Sequence, residues 1–267
     1  MKTSCRTIGL GLLCALIVSA FAAQAASAVS QTAVECTTTG TPLNSDRFSD
    51  AHCKSKGAGQ PFFHAATPFA TKTATVGTNI TTGTAWEPAV LKANVGGVSI
   101  TIEAQEVTFA SGATIENNET AGGEMYAEGL LPGLHIANVT TAVPNCGVAG
   151  MPPGGGADTP GTIQSVPIRA TTKGQGEGIV KFEPQLNNLL AEFTFTGASC
   201  SLAGVPWPIY GTITSSKTEG ATIPFVHNTI TATKSLRLKD PNTGPVAGLT
   251  ARVTIKKESN GTPIALT

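Results

Sequence analysis

The chain has 267 residues, with 17 Lys and Arg balanced by 17 Asp and Glu. Charged residues make up 13% of it, about half the roughly 25% of an average domain. Such a chain lacks the positive field that gathers phosphate backbones and the polybasic run that holds anionic lipid. Nucleic acid and membrane surfaces are therefore excluded as expected partners.

The N-terminus carries Lys2 and Arg6 ahead of an apolar run from Ile8 to Ala22. Ala23-Gln24-Ala25 and Ala26-Ser27-Ala28 then offer the A-x-A pattern of a secretory cleavage site. The run is about fifteen residues, short of the ~20 that span a bilayer core. Residues 1–28 are read as a signal peptide, with an uncleaved anchor as the alternative, and no membrane span is expected once they are removed. Cys14 lies inside the apolar run, not just after it, so lipidation is discounted. Losing Lys2 and Arg6 turns the balance of 17 against 17 into a net charge of −2.

Residues 29–70 read as an irregular, polar segment in which Cys36 and Cys53 bracket a stretch rich in Asp, Ser and Gly. Phe62, Phe63 and Phe69 are the rings expected to dock it onto the rest of the chain.

From residue 71 to 267 a period-2 pattern takes over. Val98 to Ala104 alternates without a break, as do Ala191 to Thr196 and Ala251 to Lys256. Val166, Ile168 and Ala170 alternate around Pro167, which argues for an edge strand. Ile209, Gly211 and Ile213 share one face, and further strands are expected over Thr73–Thr81, Leu134–Thr140 and Gly178–Glu183. Strict alternation means sheets with one dry face, the antiparallel habit. No segment shows a 3.6-residue period over three turns. The predicted fold is all-β: an antiparallel β-sandwich or barrel-like body with a short disulfide-clipped N-terminal segment. Residues 144–162, with Pro152-Pro153-Gly154-Gly155-Gly156, read as a long irregular loop. One β domain is expected, with a split into two subdomains at that loop as the alternative.

Once Cys5 and Cys14 leave with the leader, Cys36, Cys53, Cys146 and Cys200 remain. Four cysteines in an exported chain read as two disulfides with three connectivities. Cys36–Cys53 and Cys146–Cys200 are favoured because each pair is local and encloses no other cysteine.

The N-terminal segment also prompts a comparison. Glu35-Cys36, Phe48-Ser49-Asp50-Ala51-His52-Cys53-Lys54, Gly57-Ala58-Gly59 and Phe63-His64 resemble the opening of exported, Thr- and Gly-rich actinobacterial proteins of unknown function. Phe195 to Cys200 resembles the Gly-x-x-Cys-like turns that end later strands in that group. The resemblance covers about the first forty mature residues and supports export and the favoured pairing. It carries no activity with it.

Templates for catalysis fail. No G-x-S-x-G elbow occurs, and Ser199, in the nearest look-alike, reads as a turn residue beside a paired cysteine. Glycoside hydrolysis needs two carboxylates, and neither Glu103 with Glu106 nor Glu124 with Glu128 stands out from chance. Asp46, Asp50, His52 and His64 are close enough in sequence to suggest a metal, yet no H-E-x-x-H or EF-hand pattern accompanies them. They read as solvated loop side chains, and His135 and His227 as strand residues. No cofactor or metal is expected.

Carbohydrate binding by β proteins relies on exposed rings beside polar groups. Trp86, Trp207 and Tyr210, with Tyr126, are the candidates, although Trp86 and Trp207 read first as core or core-rim packing. Sequons at Asn79, Asn118, Asn138 and Asn260 follow from Thr richness. A transmembrane β-barrel would need aromatic girdles, and 5% aromatics do not supply them. The expected function is that of a non-enzymatic secreted or envelope-associated protein with a structural, adhesive or ligand-binding role, its partner a cell-wall or extracellular glycan. A secreted hydrolase is the alternative.

Overall fold

A computed structural model describes residues 32–65, 74–79, 88–110, 112–151, 159–226, 236–257 and 262–266. Among them every regular element is a strand. The first are β1 (Ala33–Thr37), β2 (Phe63–His64), β3 (Ala74–Asn79), β4 (Ala89–Val95), β5 (Val98–Phe109), β6 (Thr114–Glu119) and β7 (Met125–Leu131). There follow β8 (Leu134–Thr141), β9 (Gly147–Met151), β10 (Thr159–Pro160), β11 (Thr162–Gln164), β12 (Ile168–Thr171), β13 (Lys181–Pro184) and β14 (Leu189–Thr196). The last are β15 (Pro206–Tyr210), β16 (Ile213–Thr214), β17 (Thr222–Val226), β18 (Leu236–Leu238), β19 (Val246–Lys257) and β20 (Ile264–Leu266).

Among the described residues all pairings between strands are antiparallel. From β19 the hydrogen-bonded neighbours run through β4, β5 and β8 to β11. Gly161 joins β11 to β10, and the order continues through β9, β14, β15 and β18 back to β19. The result is a nearly closed barrel of ten strands. A second set, β3–β6–β7–β12–β13–β16, branches from the far half of β19. β19 serves both because its twelve residues outreach any one partner: Ala247 to Thr250 face β4, and Thr254 to Lys257 face β3.

One apolar cluster fills the interior, from Leu91 and Ile100 through Phe193 and Trp207 to Ile255 and Ile264. The closing ring explains how a chain so poor in aromatics makes a core. A barrel buries one face of each strand at once, so Ile, Val, Leu and Ala supply most of the core beside Phe182, Phe193, Phe195, Trp207 and Phe225.

Both favoured disulfides are present. Cys36 and Cys53 have Cα atoms 5.8 Å apart, and Cys146 and Cys200 are at 4.8 Å. The second bridge staples the start of β9 to the end of β14, where Gly147 faces Thr196.

Several expectations need correction. Residues 144–162 are not irregular throughout, since Gly147–Met151 is a strand paired with β14 on one side and β10 on the other. Pro152 to Gly156 lie outside the described residues. Pro167 does not mark an edge: β12 begins one residue later and is hydrogen-bonded to both β7 and β13. Gly211, at φ 119°, ends β15 instead of continuing it, although Ile209 and Ile213 both point inward.

The N-terminal segment carries a strand of its own, β1, sandwiched between β2 and β20. Phe63 is buried, but Phe69 lies outside the described residues. The docking contact is a small cluster of Val34, Cys36, Phe48, Cys53, Ala221 and Ala265. A side-chain amide completes it: Ala33 N–H donates to Asn117 Oδ1 at 2.8 Å, and Asn117 Nδ2 donates to the Ala33 carbonyl at 3.0 Å. Asn117 thereby pairs with β1 as a neighbouring backbone would.

Candidate functional site

The long strands β5 and β8 shape the interior. Ile100, Ile102 and Ala104 point inward in alternation, yet the next inward residue of β5 is Val107. β8 shows the matching change, with Val139 buried and Ala137 and Asn138 intervening before Ile136. Asn138 sits at φ 53°, in the left-handed region that Asn tolerates. Both strands switch face at the same level. Val107, Phe109, Leu134 and Ile136 are thus aimed into the barrel beyond the point where unbroken alternation would turn them out.

There they border an apolar cavity of about 120 Å³. Its walls come from both sheets, with Leu91 and Ile102 on one side, Ile168 and Phe182 on another, and Phe225 and Ala251 closing it. Among the described residues Ser165 is the one polar lining side chain. Its hydroxyl is already committed, accepting from Leu134 N–H at 2.7 Å and donating to the Val166 carbonyl at 2.8 Å. A smaller cavity of about 30 Å³ lies across Phe109 and Phe182, lined further by Ile115 and Leu131. Phe182 stands edge-on to Phe225 at 5.3 Å, so its ring is part of the partition.

The candidate aromatics are not equivalent, and Trp207 takes the core position first expected of it. Trp207 is 1% exposed, stacked on Phe193 at 6.3 Å and edge-on to Phe195 at 5.3 Å. Lys239 Nζ caps its ring at 3.9 Å. It is a core residue and not a ligand platform. Tyr210 is half-buried at the end of β15, opposite Arg237. Trp86 and His227 lie outside the described residues.

The outer face of β6, β7, β12 and β13 carries a charge ladder. Glu116 and Glu128 are directly opposite across β6 and β7. Glu128 is gripped by Arg169 through Nε at 2.9 Å and Nη2 at 2.5 Å. The hydrogen bonds that Arg169 donates to Glu128 raise its pKa above the ordinary value, reinforced by the charges of Glu128 and Glu183. Tyr126 is half-buried on the same face, with Lys173 Nζ 5.1 Å from its ring centre. Glu103 is exposed on β5, Ser199 is an exposed turn residue, and His135 is exposed on β8.

The suspected metal cluster is otherwise engaged. Asp50 accepts from the backbone N–H groups of His52, Lys54 and Ser55. Burial would raise its pKa, but those three bonds outweigh burial and hold it below the usual carboxylate value. Asp46 pairs with Lys56 at 2.7 Å. His64 is buried at 8% exposure, its ring 4.7 Å from that of Phe48, with neither nitrogen hydrogen-bonded among the described residues. Desolvation lowers its pKa, Asp46 opposing and Lys56 adding. Among the described residues no group of His, Cys, Asp and Glu could hold a metal ion.

Sequence reasoning missed the cavity. Its one available signal was the run Val107, Phe109, Leu134 and Ile136, four apolar groups out of phase with the alternation before and after them.

Fold and site together define an all-β, disulfide-stapled barrel with an apolar void at its centre. Comparison with protein-family models, curated proteins and solved structures finds no match. The resemblance to exported actinobacterial proteins therefore rests on the quoted residues alone.

Proposed function

We propose that the protein acts outside the cytoplasm as a non-enzymatic ligand-binding protein, with the barrel interior as its binding site. The observation that carries this reading is the 120 Å³ cavity walled by apolar side chains from both sheets. Barrel interiors of this kind hold single small ligands, and a dry apolar cavity of about 150 Å³ takes up benzene or xenon. Export is supported by the leader-like first 28 residues and by two disulfides, which persist in oxidising compartments.

The test has two arms. N-terminal sequencing of the exported chain is expected to find cleavage after Ala25 or Ala28. Thermal melting with and without xenon or toluene is expected to show stabilisation that grows with ligand concentration. Absence of any shift would refute the interior site.

A glycan partner is the second reading, and the Tyr126 face favours it: a half-buried ring beside Lys173 and the Glu128–Arg169 pair. Trp207→Ala would test only the core, so the informative variant on a glycan array is Tyr126→Ala. Turnover of a polysaccharide in the same assay would establish the hydrolase alternative, with Glu116 and Glu128 as the first carboxylates to replace.

A further inference from the structure

We infer that the interior site takes a neutral, hydrocarbon-like molecule no larger than about benzene or toluene, an inference that rests on the binding role proposed above. Three observations lead there. Among the described residues the cavity offers a ligand no hydrogen-bond donor, because the single donor of the Ser165 hydroxyl is spent on the Val166 carbonyl and one of its two acceptor sites is taken by Leu134 N–H. Charged groups on the lining strands, such as Glu103, Arg169 and Lys181, alternate with the inward residues and do not border it. The volume, about 120 Å³, is somewhat below that of the cavity that accepts benzene.

Selection therefore works by exclusion. A carboxylate carried inside would lose its water and find no donor, and a hydroxyl or amine would lose its water for at most the one remaining acceptor site of Ser165. The site discriminates against polar analogues without any contact devoted to recognition. Size is set by the partition, because Phe109 and Phe182 border both cavities and keep the 30 Å³ chamber apart. Of the two rings, Phe182 is the buried one, braced edge-on by Phe225. It is the residue that limits ligand length.

The experiment is a binding series on the full disulfide-bonded chain. Xenon, benzene, toluene, butylbenzene, phenol and benzoate would each be titrated and read by methyl chemical shifts of the lining Ile and Leu residues. Benzene and toluene are expected to bind, phenol at least about tenfold more weakly, and benzoate not at all. Butylbenzene should bind the wild type poorly and gain on toluene in Phe182→Leu, which opens the partition. Should Phe182→Leu fail to fold, the wild-type series still decides. Phenol or benzoate binding as tightly as toluene would overturn the inference while leaving an interior site in place. Butylbenzene matching toluene in the wild type would overturn the size limit. Shifts with none of the probes, xenon included, would refute the interior site itself.

Discussion

Gly220 is where the N-terminal clip meets the barrel, and replacing it with alanine isolates that contact. The residue sits at φ +60°. A Cβ placed there would collide with the His52 carbonyl oxygen and lie 2.7 Å from the Cys53 carbonyl carbon. The neighbouring Ala221 N–H donates to that same His52 oxygen at 2.7 Å, and Ala221 is buried in the docking cluster. The left-handed backbone costs an alanine about 1–2 kcal/mol. Pushing the His52 carbonyl aside strands a buried donor for about 1–3 kcal/mol more. The expected destabilisation is ~2–5 kcal/mol, which at roughly 2–4 °C per kcal/mol for a chain of this size lowers the melting temperature by about 5–20 °C. Gly204 provides the control: it has φ +76° with nothing within 4 Å of its would-be Cβ, so Gly204→Ala bears the backbone term alone. Melting followed by circular dichroism, with limited proteolysis of the clip, distinguishes the two. Equal losses in Gly220→Ala and Gly204→Ala would refute the docking contact.

Three other outcomes are expected. Cys36→Ser with Cys53→Ser should cost about 3 kcal/mol and Cys146→Ser with Cys200→Ser about 4 kcal/mol in chemical denaturation, following the 17- and 54-residue separations. Asn117→Leu, which keeps the branched heavy-atom skeleton and removes both bonds to Ala33, should free β1 and speed amide exchange there relative to β5. Stability should also fall with acid. His64 and His52 both have lowered pKa values, chiefly from desolvation, so the folded state binds fewer protons than the unfolded chain. Their contribution is complete above the ordinary value near 6.5 and lost as pH falls below it, at no more than about 1.4 kcal/mol per pH unit for each proton. His64→Phe, which keeps a ring against Phe48, should flatten the part due to His64 in urea midpoints measured between pH 7 and pH 5.

Strands with one dry face were legible because the period-2 pattern records burial directly. Val98 to Ala104, Ala191 to Thr196 and Ala251 to Lys256 are all strands, with Ile100, Ile102, Ala104, Phe193, Phe195, Ala251 and Ile255 inward as expected, although Val98 is exposed and Thr194 and Thr254, on the faces expected to be wet, are buried. The pattern failed where backbone proximity, not side-chain burial, defines the element. In Gly147 to Met151, a Cβ at Gly150 would lie 2.6 Å from the Ile163 Cα, so the strand carries glycines that read as loop. It failed again at Gln105 and Asn138, where paired strands switch face together. Neither half of that switch has meaning without its partner, and the cavity behind it was invisible for that reason. The disulfides were legible because short loops favour local pairing. Trp207 was ambiguous because Pro206 and Pro208 flank edge and interior strands alike, and only the neighbouring Phe193 and Phe195 decide for the core.

The proposed role depends on whether the interior can be entered, and xenon-129 exchange spectroscopy measures this directly. The wild type should show a bound-xenon signal that disappears in Ala104→Leu and, independently, in Ala251→Leu, each of which fills the cavity from a different strand. A wild-type spectrum with free xenon alone, or a bound signal that persists in both filled variants, would contradict an interior binding site.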